Sequence, residues 1–250
     1  MIKIDNISCV IISQNSEATI RETLDSLKSF SDVVIYSNNS TDNTENIIKN
    51  YANVTLINGD FLGFGPTKNR ASEYAKNSWI LSLDSDERLS EKLLKELQEL
   101  SLNDTKEVFI LKRDNFFLNK EIKHSGWGKD FLIRLYNKSE YQFNNNMVHE
   151  YIQIQEDTKQ TKLKNSFQHN AIQNVNQFLQ KVIKYSDLAA KDKKTCSLTL
   201  VILKAFFAFF KTYFLQLGFL DGWRGLVIAI SNFNGKFFRY IKRYLNCKKS

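Results

Sequence analysis

The chain has 250 residues, 42% of them hydrophobic and 13% aromatic, with one proline and nine glycines. That length and composition support one large domain, or one domain with an appendage, and exclude a disordered chain and a loop-rich or repeat architecture. The net charge of +8 is unevenly placed: residues 193–250 hold eleven Lys/Arg against the single acid Asp221, and the rest holds 24 basic and 26 acidic residues.

A near-neutral body with a strongly basic tail points to an anionic surface as the tail's partner, either membrane or nucleic acid. The three cysteines, Cys9, Cys196 and Cys247, are far apart and form no Cys-x-x-Cys pair. They support neither a zinc ribbon nor a disulfide framework, so reducing conditions are the default expectation. The N-terminus has Asp5 and only a short apolar run before Ser13. It lacks the basic start and long apolar segment of a signal peptide, so a cytoplasmic catalytic part is the expectation.

Asn6 to Ser13 (NISCVIIS) is a short β-rich apolar run, as in a buried parallel strand. Ser16 is placed to cap a following helix with Ile20, Leu24 and Leu27 on one face. Val33 to Tyr36 predicts a second strand. Ser40-Thr41-Asp42 offers capping oxygens to a helix with Ile47, Ile48 and Tyr51 inward. Val54 to Ile57 predicts a third strand, and Gly59 to Pro66 is a glycine-punctuated loop. Thr67 to Lys76 reads as helix and Trp79 to Leu83 as a fourth strand. Strand and helix alternate four times, which argues for an α/β fold with a doubly wound parallel sheet.

The fourth strand stops at Asp84-Ser-Asp86-Glu87, and a helix is expected to begin near Ser90. In an open α/β sheet, ligands bind beyond the carboxyl ends of the strands. Two carboxylates there, one residue apart, suit a hard divalent cation held partly by substrate phosphates. The plain alternative is an exposed acidic turn. After Leu100 the rhythm changes. Val108 to Lys112 predicts a strand, Phe116 to Ile122 a hairpin turning at Asn119-Lys120, and Phe131 to Tyr136 a strand or helix start. Residues 140–167 read as short strands and loops. Helices follow over roughly 172–192, 198–216 and 221–246, with the division into a catalytic part, 1–192, and a basic helical part, 193–250.

The first half of this order resembles a nucleotide-sugar glycosyltransferase of family 2 with the GT-A, Rossmann-like fold, which implies a mostly parallel sheet flanked by helices. The matching motifs are Ser13-Gln-Asn15-x-Glu17, Asn38-Asn-Ser40-Thr41-Asp42, Lys68-Asn69-Arg70 and Asp84-Ser-Asp86. Later motifs are similar to those of bacterial lipopolysaccharide-core enzymes, including β-1,4-glucosyltransferases. These are Arg113-Asn115-Phe117, Gly126-Trp127-x-x-Asp130, Arg134-Leu135-Tyr136, Val148-His149-Glu150 and Phe219-Leu-Asp221-Gly222-Trp223-x-Gly225.

The resemblance implies an inverting transfer of a hexose, glucose from UDP-glucose first, to the inner core of lipopolysaccharide or lipooligosaccharide. A capsule or glycoprotein glycan is the alternative acceptor. Ser13, Asn15, Glu17, Asn38, Lys68, Arg70 and Asp84 would face the nucleotide sugar. Lys68 and Arg70 lie two apart on a helix, so only one is expected to face the diphosphate. Asp86 is the expected ligand of Mg²⁺ or Mn²⁺, with His149 a candidate to complete its shell. Asp84 is expected on the ribose hydroxyls or an outer-shell water. Where the family usually has an acid, this chain has Ser37-Asn38, which leaves base specificity open. Asp130 and Glu150 compete for the role of general base. His169, at a strand end, reads first as a core or capping histidine, and Trp127 either stacks on a sugar or simply packs.

Leu200 to Leu217 (LVILKAFFAFFKTYFLQL) is apolar but carries Lys204 and Lys211. Such a segment suits a helix lying in a membrane interface more than one crossing the bilayer. The last helix sets Phe233, Phe237, Tyr240 and Tyr244 against Lys236, Arg239, Lys242 and Arg243. Both helices could equally pack on the protein with a solvated basic face. The expectation is peripheral attachment to the inner face of the cytoplasmic membrane, and no nucleic-acid partner. The rival, a nucleic-acid-binding module, is disfavoured because the basic residues alternate with an aromatic–aliphatic stripe.

Overall fold

The computed structural model describes residues 3–147, 149–172, 174–190 and 195–248. The chain forms two compact units, Met1–Arg113 with Phe131–His169, and Asp114–Asp130 with Asn170–Ser250. The break expected at 192/193 lies outside the described residues.

In the first unit, strands β1 (Ile7–Ser13), β2 (Val33–Ser37), β3 (Val54–Asn58) and β4 (Trp79–Asp84) alternate with helices α1 (Ile20–Ser26), α2 (Thr44–Ile48) and α3 (Phe64–Glu73). The strands pair in parallel in the order β3-β2-β1-β4. Every residue of β1 is buried, and its β-branched run Val10-Ile11-Ile12 suits a pleated, covered surface. Successive side chains leave on opposite faces. Ile7, Cys9 and Ile11 join one apolar cluster with Ile20, Leu24 and Leu27, and Val10 and Ile12 join another with Ala71 and Tyr136.

Beyond β4 the sheet turns antiparallel. Strand β8 (Phe131–Asn137) pairs with β4 and with β6 (Glu107–Phe117), and β5 (Glu87–Leu89) pairs with β9 (Lys159–Ile172). The sheet is therefore mixed, in the order β3-β2-β1-β4-β8-β6-β9-β5. Helix α4 (Glu91–Gln98) starts where Ser90 Oγ accepts the Leu93 N–H at 3.2 Å, a normal N-cap. Ser16 differs from expectation: its carbonyl, not its hydroxyl, receives the Thr19 and Ile20 N–H groups. Its hydroxyl lies 2.8 Å from that of Ser85.

The long strand β9 replaces the expected short strands and loops between 159 and 167. Its inward positions are Thr161, Leu163, Asn165, Phe167 and His169, of which only two are apolar. The polar ones are satisfied by acids: Thr161 by Glu107, Asn165 by Glu96, His169 by Asp86. Period-2 burial is present, but it is not hydrophobic enough to read from the sequence.

The second unit takes the end of β6, which turns at Leu118 and Asn119 onto the short strand β7 (Lys120–Glu121). Three helices follow: α5 (Val175–Ala190), α6 (Leu198–Phe210) and α7 (Trp223–Lys248). Between α6 and α7 run a π turn, Lys211–Leu215, and a 3-10 turn, Gly218–Asp221. Val201, Ala205, Ala208 and Thr212 form the buried face of α6 and its π turn. Leu203, Phe206 and Phe207 each stay about 60% exposed on the other side. Lys204 Nζ lies 4.5 Å over the Tyr240 ring. Leu198–Leu215 is long and apolar enough, by length and composition only, to cross a membrane.

One expectation is overturned here. Cys196 and Cys247, read as unpaired thiols, form a disulfide with Cα atoms 5.5 Å apart, and Cys9 alone is free and buried. The antiparallel return of α7 beside α6 brings together two cysteines 51 residues apart. Spacing in the sequence carries no trace of that meeting.

Candidate active site

The register of the parallel strands brings their carboxyl ends level. Ser13 pairs with Ser37, Ile12 with Asp84 and Ser37 with Asn58. Residues that follow β1, β2 and β4 therefore share one edge of the first unit. Asn15, at φ 50°, accepts the Thr41 N–H through Oδ1 at 2.8 Å, and Glu17 accepts the Asn43 N–H at 3.0 Å. These bonds fasten the loop after β1 to the loop after β2. Ser13 Oγ donates to Ser16 Oγ at 3.1 Å. Asn38 is buried, its N–H donates to the Ser13 carbonyl, and its Oδ1 is buried without a partner among the described residues.

A buried ion network occupies the end of β4. Lys68, on α3, donates to Asp84 Oδ1 at 2.8 Å and to Glu150 Oε1 at 3.0 Å, with its side chain only 3% exposed. Arg134, on β8, reaches the other Asp84 oxygen at 3.0 Å and Glu87 at 2.7 Å. Arg113 lies 3.2 Å from the same Glu87 oxygen, and the remaining Glu87 oxygen accepts the Asp84 N–H. A cavity of about 660 Å³ is lined by Lys68, Asp84, Arg113, Arg134, Phe143 and Glu150, among others.

Three cations thus face three carboxylates, which is what allows ions to remain charged when taken from water. Burial acts to raise the Asp84 carboxyl, but Lys68 and Arg134 outweigh it and hold the group well below the usual carboxylate range. Burial pushes the Glu87 carboxyl up against the pull of Arg134, with Asp84 adding to the rise. Burial alone would lower the Arg134 guanidinium; Glu87 and then Asp84 reverse that and raise it.

Arg70 is not part of this network. It is exposed, pairs with Glu73 and lies 5.6 Å over the Tyr74 ring. Of the two basic residues on α3, only Lys68 reaches the strand ends. Lys68→Met should therefore lower the unfolding midpoint sharply, since deleting one partner of a buried pair costs about 3–5 kcal/mol. Arg70→Met should shift it little, since exposed pairs contribute about 0–1 kcal/mol. Thermal scans of the two variants side by side check this, and equal shifts would remove the distinction between them.

Asp86 follows the network, 29% exposed, with one carboxylate oxygen 3.4 Å from His169 Nε2. His149 is exposed at φ 61°. Among the described residues, no three His, Cys, Asp or Glu side chains gather into a metal cage. Mg²⁺ and Mn²⁺ do not require one when a substrate brings phosphate oxygens: one or two carboxylates suffice. Asp86 fits that requirement. Asp84 fits it less well, because cations already hold both of its oxygens.

Asp130 belongs to the second unit. Asn115 Nδ2 donates to Asp130 Oδ2 at 3.0 Å and to the Trp127 carbonyl at 3.2 Å. Asp130 ends a loop with Ser125 at φ 57° and Gly126 at φ 83°.

The model of the family described as "Glycosyl transferase family 2" matches residues 8–181, most of the chain and all of the strand ends described above. The chain belongs to glycosyl transferase family 2. The mixed sheet flanked by helices is the GT-A arrangement of this family, and the protein is a glycosyltransferase. An uncharacterized family relative from Rickettsia typhi, also named a glycosyltransferase, is 27% identical over 256 residues, covering 94% of this chain and 86% of the relative. A lipopolysaccharide core biosynthesis glycosyltransferase, LpsC of Rhizobium meliloti, is 30% identical over 98 residues, covering 38% of this chain and 36% of LpsC. The structure of S. aureus TarS 1–349 in complex with UDP aligns over 98% of this chain and 92% of that chain, at 14% identity and a TM-score of 0.48.

Several of the residues described above had no role assigned from sequence. Glu87 reads as one more acid in a polar turn, yet it is fully buried. Its signal is the inward alternation with Leu89 along β5. Arg134, Arg113 and Asn115 stood within quoted motifs without a function. His169 reads as a packing histidine, and only the pairing of β9 with β5 brings it to Asp86.

Proposed function

We propose that this family 2 enzyme is an inverting, metal-dependent hexosyltransferase. It uses a UDP-sugar, UDP-glucose first, and glycosylates the inner core of a lipid-anchored lipopolysaccharide or lipooligosaccharide. The observation that carries the reading is the placement of Asp86 directly beyond the Lys68–Asp84–Arg134 network at the level strand ends. A divalent cation bound there supplies Lewis-acid stabilisation of the charge that develops on the leaving diphosphate. Asp86 would hold that cation, with His169 or His149 as a second ligand. Lys68 fixes Asp84 for the ribose side of the donor. The unpartnered Asn38 Oδ1 suits an N–H of the base, as uracil provides.

Glu150 is already tied to Lys68, which favours Asp130 as the base that takes the acceptor hydroxyl's proton. The core-oligosaccharide acceptor draws support from the likeness to LpsC. A screen of UDP-, GDP- and dTDP-sugars with Mn²⁺, read as sugar release, tests the donor. UDP-glucose is expected to rank first, and turnover confined to a GDP-sugar would overturn the UDP reading.

A lipid-linked acceptor would be met at the cytoplasmic face of the membrane. The basic stripe on α7 is partly engaged within the second unit: Lys242 pairs with Asp187 at 2.6 Å, and Arg243 donates to the Ala189 carbonyl. The exposed face of α6, with Leu203, Phe206 and Phe207, is the better contact, supported by the excess positive charge of the tail. Leu203→Ser with Phe207→Ser should release the protein from anionic vesicles while donor hydrolysis persists. Unchanged co-sedimentation, or tighter binding to duplex DNA than to vesicles at physiological salt, would move the tail to another role.

A further inference from the structure

Asp221 is the single acid in a tail with eleven basic residues, and it is nearly buried. Its side chain is 5% exposed and turned onto the segment Lys123–Ser125. One carboxylate oxygen accepts the Lys123 N–H at 3.1 Å. The other accepts the His124 N–H at 3.1 Å and the Ser125 hydroxyl at 2.7 Å. His124 Nδ1 lies 3.3 Å from the first oxygen. A carboxylate receiving several donors at once is held far more firmly than one in a single pair.

The backbone packs closely around this contact. The Ser125 N–H donates to the Gln216 carbonyl at 2.9 Å. A Cβ on Gly126 would meet the Gln216 amide at 2.8 Å, and one on Gly128 would fall on the Lys123 carbonyl. On the tail side, a Cβ on Gly218 would meet the Thr212 carbonyl at 2.7 Å, and one on Gly225 would fall on the carbonyl of Gly218. From this clamped segment a short chain of bonds runs to Asp130. The Trp127 N–H donates to the His124 carbonyl, and Asn115 Nδ2 donates to both the Trp127 carbonyl and Asp130 Oδ2.

We infer that Asp221 is a positioning residue for Asp130: the turn between α6 and α7 sets the place of the acceptor-side carboxylate through the loop 123–130. The inference rests on the proposed base role of Asp130. Asp221 does not touch substrate. It fixes the loop whose far end does, and a misplacement of the order of 1 Å at a reacting group costs about 10²-fold in rate.

The test is a double-mutant cycle with UDP-glucose, Mn²⁺ and detergent-solubilised lipooligosaccharide ending in an inner-core heptose. Asp221→Asn keeps the size of the side chain and turns one acceptor into a donor facing Ser125. It should lower kcat by about ten- to a hundredfold with the donor KM nearly unchanged. In an Asp130→Asn background the same change should cost less than about twofold, because residues acting through one group are not additive. Ser125→Ala, which deletes one bond of the clamp, should fall in the same direction by less. It carries the cycle if Asp221→Asn unfolds early in a thermal scan. An equal loss in both backgrounds, or a loss expressed in donor KM, overturns the inference while leaving Asp130 as base. Normal turnover of Asp130→Asn alone, or no transfer by the unaltered enzyme, sinks the underlying reading instead.

Discussion

Asp130→Asn is expected to bind UDP-sugar as well as the unaltered enzyme and to lose turnover by about 10²- to 10⁴-fold, the range of a missing general base. The expectation follows from where the two candidate carboxylates lie. Glu150 belongs to the buried ion network, 3.0 Å from Lys68. Glu150→Gln weakens the hold on Lys68 and through it on Asp84, so its loss should be visible in donor affinity. Asp130 belongs to the second unit, where Asn115 donates to it. Its loss should be visible in kcat alone. Calorimetric titration of the donor and initial rates with saturating donor separate the two patterns. If Glu150→Gln shows the pure turnover loss and Asp130→Asn is nearly normal, the base is Glu150.

The second large effect is expected from the metal. EDTA should abolish transfer, and Mn²⁺ or Mg²⁺ should restore it. Asp86→Ala should abolish the metal-dependent part of donor binding, because Asp84 cannot substitute for it. Both Asp84 oxygens are engaged by Lys68 and Arg134, and these cations keep the carboxylate charged and committed. Asp84→Ala is expected to fail differently. It leaves Arg134 and Lys68 short of a counter-charge and lowers stability as well as activity. His169→Ala, beside Asp86, should weaken Mn²⁺ dependence by about 10- to 100-fold if the histidine holds or orients the metal ligand. His149→Ala in parallel decides which histidine is involved. Full transfer in EDTA would end the metal reading.

The parallel half of the fold was legible because three of its four strands, β1, β2 and β4, are buried on both faces. Val10-Ile11-Ile12, Val33 to Tyr36 and Trp79 to Leu83 have no reason to be continuous apolar runs unless helices cover each side. The strand end at Asp84 followed from that rhythm, while Ser13 and Asn38 were singled out by the family resemblance. What was not legible depends on partners distant in the chain. Glu87 is an acid whose burial is set by Arg134 and Arg113, 47 and 26 residues away. Strand β9 hides its alternation because Thr161, Asn165 and His169 find acids rather than apolar neighbours inside. The tail looked separable because its charge and composition change near residue 192. Composition does not register that Asp114–Asp130 packs into the same compact unit as the helices. Asp221 stood in a quoted motif with no role, since nothing local marks a carboxylate whose donors lie 96 to 98 residues earlier.

That separation also sets an order of events at the ribosome. At synthesis rates of about 5–20 residues per second, Lys123–Ser125 waits roughly 5–20 s before Asp221 exists to receive its N–H and O–H groups. All of the first unit's residues have been made once His169 has been added, so the chain can begin building the ion network while the loop bearing Asp130 is still unclamped. A nascent chain stalled before residue 218 would hold the groups assigned to the donor and lack the clamp on the loop assigned to the acceptor. The turn that holds Asp221 is thus made well after the loop it is proposed to set.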